Sequence, residues 1–317
     1  MSDSESKKRD EEERVETFDP KDQERYYMPR EVRNILKPVY LSHKDEMQFR
    51  CYPGISCFNA CCNNIEIILT PYDLIRLRRR LNKTVEEFLY EYANPGTLQK
   101  GQIPVAVMRM DEETGRCPFN TDEGCTVYED RPVSCRYYPI GMAMMRKQDQ
   151  GQEESFYFLI KEDFCKGHKE SKRWRVEGWR DDQGAAAYDE LNRGWMEMVL
   201  KRRSAGDMAK TSLQLTEMIY MASTNPDAFR RFVFESTFLQ RYELDPKVEE
   251  ALKHDDVALT RFAFEWLKAV IFGDRIDMKI RDGVLEESRG NLAKKAALLK
   301  KKEAARKRRE QEEKEEF

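Results

Sequence analysis

Histidine is nearly absent from this chain, with three in 317 residues. A catalytic metal site built on imidazoles, or a nucleophile paired with histidine, has too few groups to draw on. No two cysteines have two residues between them, which excludes the paired knuckles of a zinc ribbon. No uninterrupted apolar run approaches the ~20 residues of a membrane span. The first 25 residues are dominated by Ser, Asp, Glu, Lys and Arg, unlike the apolar stretch of a secretory signal. The expectation is a cytoplasmic protein without a membrane span.

Charged residues make up 36% of the chain and hydrophobic ones 40%, so part of the polypeptide is solvated rather than core. The net charge of −3 hides opposed blocks. Residues 1–25 lack apolar periodicity and are expected to be a disordered charged N-terminus. Residues 26–178 hold every cysteine and form the expected metal-binding domain, 179–283 a helical region, and 284–317 a charged helical tail. Between Lys294 and Arg309 the tail carries nine basic residues and one acidic one. No aromatic residues interleave with them to stack on bases, which argues against a nucleic-acid partner.

Local signals sketch an α+β fold. Ile65, Ile67 and Leu69 alternate as in a short strand. Thr70-Pro71 opens a helix through Leu81, and Thr84 with Glu87 has capping-box spacing for a second. Residues 103–110, 140–145 and 155–160 have the composition of a small antiparallel sheet with cysteine-rich loops. Helical patterns follow over 185–202, 211–222, 226–242 and 247–272, an all-helical C-terminal region.

The cysteines fall in two groups. Cys51, Cys57, Cys61 and Cys62 lie in FRCYPGISCFNACC; Cys117, Cys125 and Cys135 follow in CPFNTDEGCTVYEDRPVSCRYYPIG, and Cys165 in FCKGH. All eight fall within 115 consecutive residues and none in the other 202, a confinement that core packing does not explain. In a reducing compartment, clustered thiols point to metal binding rather than disulfides. Thiolates are soft donors suited to zinc and to iron–sulfur clusters, both of which take four. The C-x3-C-x2-C motif of radical enzymes begins at Cys57 and Cys61 but fails at Asn64, and a bacterial ferredoxin run is absent. Closing vicinal Cys61 and Cys62 on one ion makes a strained ring, which favours two metals or a polynuclear assembly. A 4Fe–4S cluster or multinuclear iron is expected, with zinc as the competing choice.

CC after two upstream cysteines, the LTPYDLIRLRRRL helix, CPF, GC-x-VYEDRP-x-x-C-R-x-YP and a final C-x-G together resemble the YkgJ-type cysteine-cluster family of zinc- or iron-chelating proteins. The resemblance runs from about Phe49 to Gly167. It implies that Cys51, Cys57, Cys61, Cys62, Cys117, Cys125, Cys135 and Cys165 are metal ligands. The family's first group is tighter, near C-x2-C-x2-CC, so Cys51 is the least well matched. Flagellin lysine methylases belong to the same family, which implies S-adenosylmethionine-dependent lysine methyl transfer as an alternative function. Here no G-x-G-x-x-G nucleotide loop outside the cysteine domain supports it. Further alternatives are an electron-transfer module with a redox partner and a metal-stabilised interaction protein.

Arg131 and Arg136 flank Cys135, where a cation offsets thiolate charge; pairing of Arg131 with Glu129 or Asp130 is the structural alternative. Tyr128, Tyr137 and Tyr138 are candidate donors to sulfur or substrate. His168, three residues after Cys165, reads as an exposed loop residue or as an alternate ligand or donor beside the ligands.

Overall fold

Thr70 accepts a hydrogen bond from Asp73 N at 3.3 Å, Asp73 Oδ2 returns one from Thr70 N at 2.8 Å, and Pro71 occupies the first helical position. This reciprocal cap satisfies two orphan donors and starts a helix at Pro71. Thr84 and Glu87 repeat the device one helix later, at 3.2 and 2.8 Å.

The computed structural model describes residues 39–98, 103–146, 153–204, 212–284 and 286. The charged N-terminus 1–25 and the tail, apart from 284 and 286, lie outside them. In chain order the first elements are β1 (Val39–Leu41), β2 (Glu46–Gln48), β3 (Ile68–Leu69), α1 (Pro71–Arg80), α2 (Val85–Tyr92), β4 (Ala93–Leu98) and β5 (Ile103–Met108). Next come β6 (Asn120–Thr121), β7 (Gly124–Cys125), α3 (Val133–Tyr137), β8 (Ile140–Arg146), β9 (Glu153–Leu159), β10 (Arg173–Arg175) and α4 (Val176–Asp182). The helical region contains α5 (Ala185–Ser204), α6 (Leu213–Thr224), α7 (Pro226–Glu235) and α8 (Phe238–Arg241). It ends with β11 (Tyr242–Glu243), α9 (Pro246–His254), α10 (Asp256–Phe272) and β12 (Lys279–Ile280). The fold is α+β, with small antiparallel sheets, short helices and a helical C-terminal region.

The three strand-like segments do not share one sheet. Strands β8 and β9 form a hairpin extended by β1, with Val39 opposite Leu159 and Ile140 opposite the same residue. Strand β5 instead pairs with β3 and β4. Strand β4 is ANPGTL, a sequence of low strand propensity. A Cβ on Gly96 would stand 2.6 Å from Val107 Cγ2, so the close approach of β4 to β5 requires glycine.

Two expected long helices are each broken. Ser236 Oγ donates to Phe232 O at 2.5 Å and accepts Phe238 N–H at 3.1 Å, so the side chain competes with the backbone and separates α7 from α8. Asp255 closes α9 and caps α10, accepting Val257 N–H at 2.8 Å.

The described residues fall into two compact units whose division is not collinear with the sequence: those of 39–61 together with those of 134–185, and those of 62–133 together with those from 186 onward. In the second unit, β5 supplies Ile103 and Val105 to a core with Met198, Ile219, Phe229 and Leu259, all fully buried or nearly so. Asp256, itself buried, receives Arg78, Arg79 (2.9 Å) and Arg230 (2.6 Å), tying α1 and α7 to the start of α10. Among the described residues no helix is long and apolar enough to cross a membrane.

Candidate metal centre

All eight cysteines are free thiols. The boundary between the units falls between the vicinal pair: Cys51, Cys57, Cys61, Cys135 and Cys165 lie in the first, and Cys62, Cys117 and Cys125 in the second.

In the first unit, two segments far apart in sequence are stitched by their backbones. Phe49 N donates to Lys172 O at 2.9 Å and Arg50 N to Gly167 O at 3.1 Å, which sets Cys51 beside the turn that carries Cys165. Trp174 Nε1 adds a bond to Phe49 O at 3.1 Å, while Trp179 and His168 pack their rings on Phe49. The loop after Cys51 then folds in tight turns, with bonds from Phe58 N to Ile55 O and from Ala60 N to Cys57 O. Gly54 and Asn59 sit there at φ of 101° and 63°, a region that glycine and asparagine tolerate best. A short 3-10 turn carries Ala60, Cys61 and Cys62. The turn after Cys165 closes the arrangement, because Lys166 N donates to Cys57 Sγ at 3.1 Å.

The electrostatics follow the same grouping. Burial pushes the Cys51 thiol up to about 11, and Cys61, Cys57 and Cys165 each add to the rise. Cys51 is exposed as a residue, yet the loop around its sulfur removes enough water to disfavour a bare thiolate. A cation bound beside Cys51 would favour its thiolate form.

Tyr138 touches this group directly. Its hydroxyl donates to Glu162 Oε2 at 2.9 Å. Burial first, then its hydrogen bond to Cys165 and the charges of Cys165 and Glu162, push the phenol well above its usual range. Glu162 carries no signal in the sequence beyond standing three residues before Cys165. His168 is half-buried rather than exposed: Nε2 lies 3.1 Å from Ile160 O, and burial lowers its pKa. Arg136 donates to Gln183 O at 2.8 Å. Tyr137 donates to Met142 Sδ at 3.2 Å and accepts from Arg180.

In the second unit, Cys117 N donates to Cys62 O at 3.0 Å, and Asn120 N to Cys117 O at 3.0 Å. The β6–β7 pair places Asn120 opposite Cys125. Burial raises the Cys117 thiol and the Cys125 charge adds to it, while the Phe119 N–H opposes. For Cys125 burial also prevails, against the Val127 N–H and the Arg131 charge. Arg131 is buried, donates to Tyr128 O at 2.5 Å and lies 3.9 Å over the Tyr128 ring. Asp130 is engaged by Arg76, whose Nε donates to it at 2.7 Å.

Among the described residues, no three or more His, Cys, Asp or Glu side chains are arranged as a ready metal-holding group. The fit to zinc or iron is therefore one of donor chemistry: soft free thiols, with the Lys166 N–H bonded to Cys57 sulfur.

Residues 50–170 match the model of the CxxCxxCC family, described as "Putative zinc- or iron-chelating domain". No curated protein and no solved structure matches the chain significantly.

Proposed function

We propose that the chain is a metalloprotein whose clustered cysteines hold an iron–sulfur centre, and that it serves electron transfer to a protein partner. The observation that carries this reading is that the segments bearing Cys51, Cys57 and Cys165 are joined through the bonds of Phe49 N, Arg50 N and Lys166 N, with Cys61 one tight turn beyond Cys57. The coupling of the Cys51 thiol to the other three agrees with it. Four thiolates are the usual complement of a 4Fe–4S cluster. Such a cluster, when bound, supplies one-electron transfer. The chain's own groups hold and tune it: Lys166 N–H at Cys57 is a hydrogen bond to sulfur of the kind that shifts cluster potentials, and the Tyr138 hydroxyl, which donates to Glu162, lies beside Cys165. Cys51 belongs with the others in this reading despite the stretched spacing of the first group. Cys135, Cys62, Cys117 and Cys125 complete the proposed ligand set.

Anaerobic purification followed by iron, zinc and acid-labile sulfide analysis tests it, with Cys61→Ser and Cys135→Ser alongside. Iron and sulfide in the wild type, diminished in both variants, support the reading. Zinc without sulfide would retain chelation and remove the electron-transfer role. A folded, metal-free wild type, or variants with full metal content, would overturn it.

A further inference from the structure

The vicinal cysteines part company at the backbone. Cys61 follows the turn in which Ala60 N bonds to Cys57 O, and Cys57 Sγ in turn receives Lys166 N–H beside Cys165. Arg50 N, next to Cys51, bonds to Gly167 O in the same turn that follows Cys165. Cys62 has its carbonyl bound by Cys117 N–H at 3.0 Å, and Asn120, which faces Cys125 across the β6–β7 pair, bonds back to Cys117 O. Each neighbour of the pair is thus drawn to a different thiol group, and the two groups lie in different compact units.

We infer that seven of the eight cysteines divide between two separate metal sites, a four-sulfur site of Cys51, Cys57, Cys61 and Cys165, and a second site of Cys62, Cys117 and Cys125; Cys135, in the first unit, is left out of this division. The inference rests on the metal-binding reading above and adds the division of ligands.

The second site is chemically unlike the first. It offers three sulfurs, and the loop that follows Cys125 holds a buried cation, Arg131, stacked on Tyr128. Three thiolates beside a guanidinium suit one soft divalent ion, zinc or ferrous iron, whose fourth position is filled from elsewhere. Two adjacent residues serving two sites also avoids the strained ring that both thiolates on one ion would make.

The test compares metal content per chain, by elemental analysis, of the wild type, the Cys51→Ser/Cys57→Ser double variant and the Cys117→Ser/Cys125→Ser double variant. Two sites predict that each double loses a different part of the metal, and that the two losses sum to the wild-type content. Complete loss in either double would show a single shared assembly and overturn the division. Full retention in the Cys117/Cys125 double would show that those thiols bind nothing, and would overturn it equally. Should a double variant fail to fold, the wild type itself decides: stepwise removal with a chelator, alkylation at each step, and mass mapping of the modified cysteines. Modification of Cys51, Cys57, Cys61 and Cys165 in one step and of Cys62, Cys117 and Cys125 in another supports two sites; simultaneous modification of all seven rejects them. A wild type without metal would instead defeat the metal-binding reading, a result distinct from either.

Discussion

Gly167 lies so close to Phe49 that a Cβ at position 167 would stand 2.7 Å from the ring and 2.9 Å from Arg50 O. The glycine two residues after Cys165 is thus what lets the Cys51 strand and the Cys165 turn meet. Gly167→Ala forces the two segments apart. We expect a loss of about 1–3 kcal/mol, the usual cost of overpacking, read from urea denaturation, together with reduced metal retention. Unchanged stability and metal content would show that the contact yields freely.

Asp256 answers three arginines from a buried position. Burial by itself raises its pKa, but the Arg230 hydrogen bond and the Arg78 and Arg79 interactions outweigh that and hold it below the ordinary carboxylate range. A depressed folded-state pKa means stability present above the unfolded value of about 3.9 and lost as pH falls through the folded value. Asp256→Asn should therefore destabilise by about 3 kcal/mol at neutral pH, and the difference from wild type should shrink under acid. Denaturant midpoints at neutral and acidic pH measure both effects.

Helix capping gives a smaller effect. Thr70→Ala removes the acceptor for Asp73 N and should cost about 1 kcal/mol, while Thr70→Ser should restore most of it. Urea melts of the two variants compare them directly.

Tyr138→Phe deletes the hydroxyl shared between Glu162 and Cys165 and keeps the ring against Phe49. A loss of about 0.5–1.5 kcal/mol is expected. Metal content should stay unchanged, while a redox-active centre should shift its potential in a spectroelectrochemical titration. Loss of the metal would make Tyr138 necessary for assembly rather than for tuning.

Chelation under reducing conditions should lower the melting temperature, because metal affinity at a site formed on folding is folding free energy. Differential scanning calorimetry with and without added metal reads the shift.

Local chemistry was legible in the sequence. The starts at Thr70-Pro71 and Thr84 depend on groups three residues apart, so the same atoms that make the motif make the cap. The strands at 140–146 and 153–159 were legible for a similar reason, being a hairpin of β-branched, aromatic and methionine residues. Strand β4 was not, because Asn94, Pro95 and Gly96 are extended by their partner strand and not by their own preference. The breaks at Ser236 and Asp255 escaped the apolar periodicity, since it continues through them while a side-chain hydrogen bond redirects the chain.

The sequence by itself determined the number and kind of donors: eight thiols, few imidazoles, and turn residues beside the cysteines. It also carried the resemblance to the cysteine-cluster family whose model matches residues 50–170, because all eight cysteines occur in order with their flanking motifs. Only the tertiary structure decided which thiols are neighbours. Cys51 and Cys165 are 114 positions apart and are joined by backbone bonds at Phe49, Arg50, Gly167 and Lys172, whereas adjacent Cys61 and Cys62 fall in different units. Spacing along a chain fixes proximity only within a turn or a helix. Beyond that, the pairing of distant backbone groups and the space a missing Cβ leaves determine which sulfurs meet.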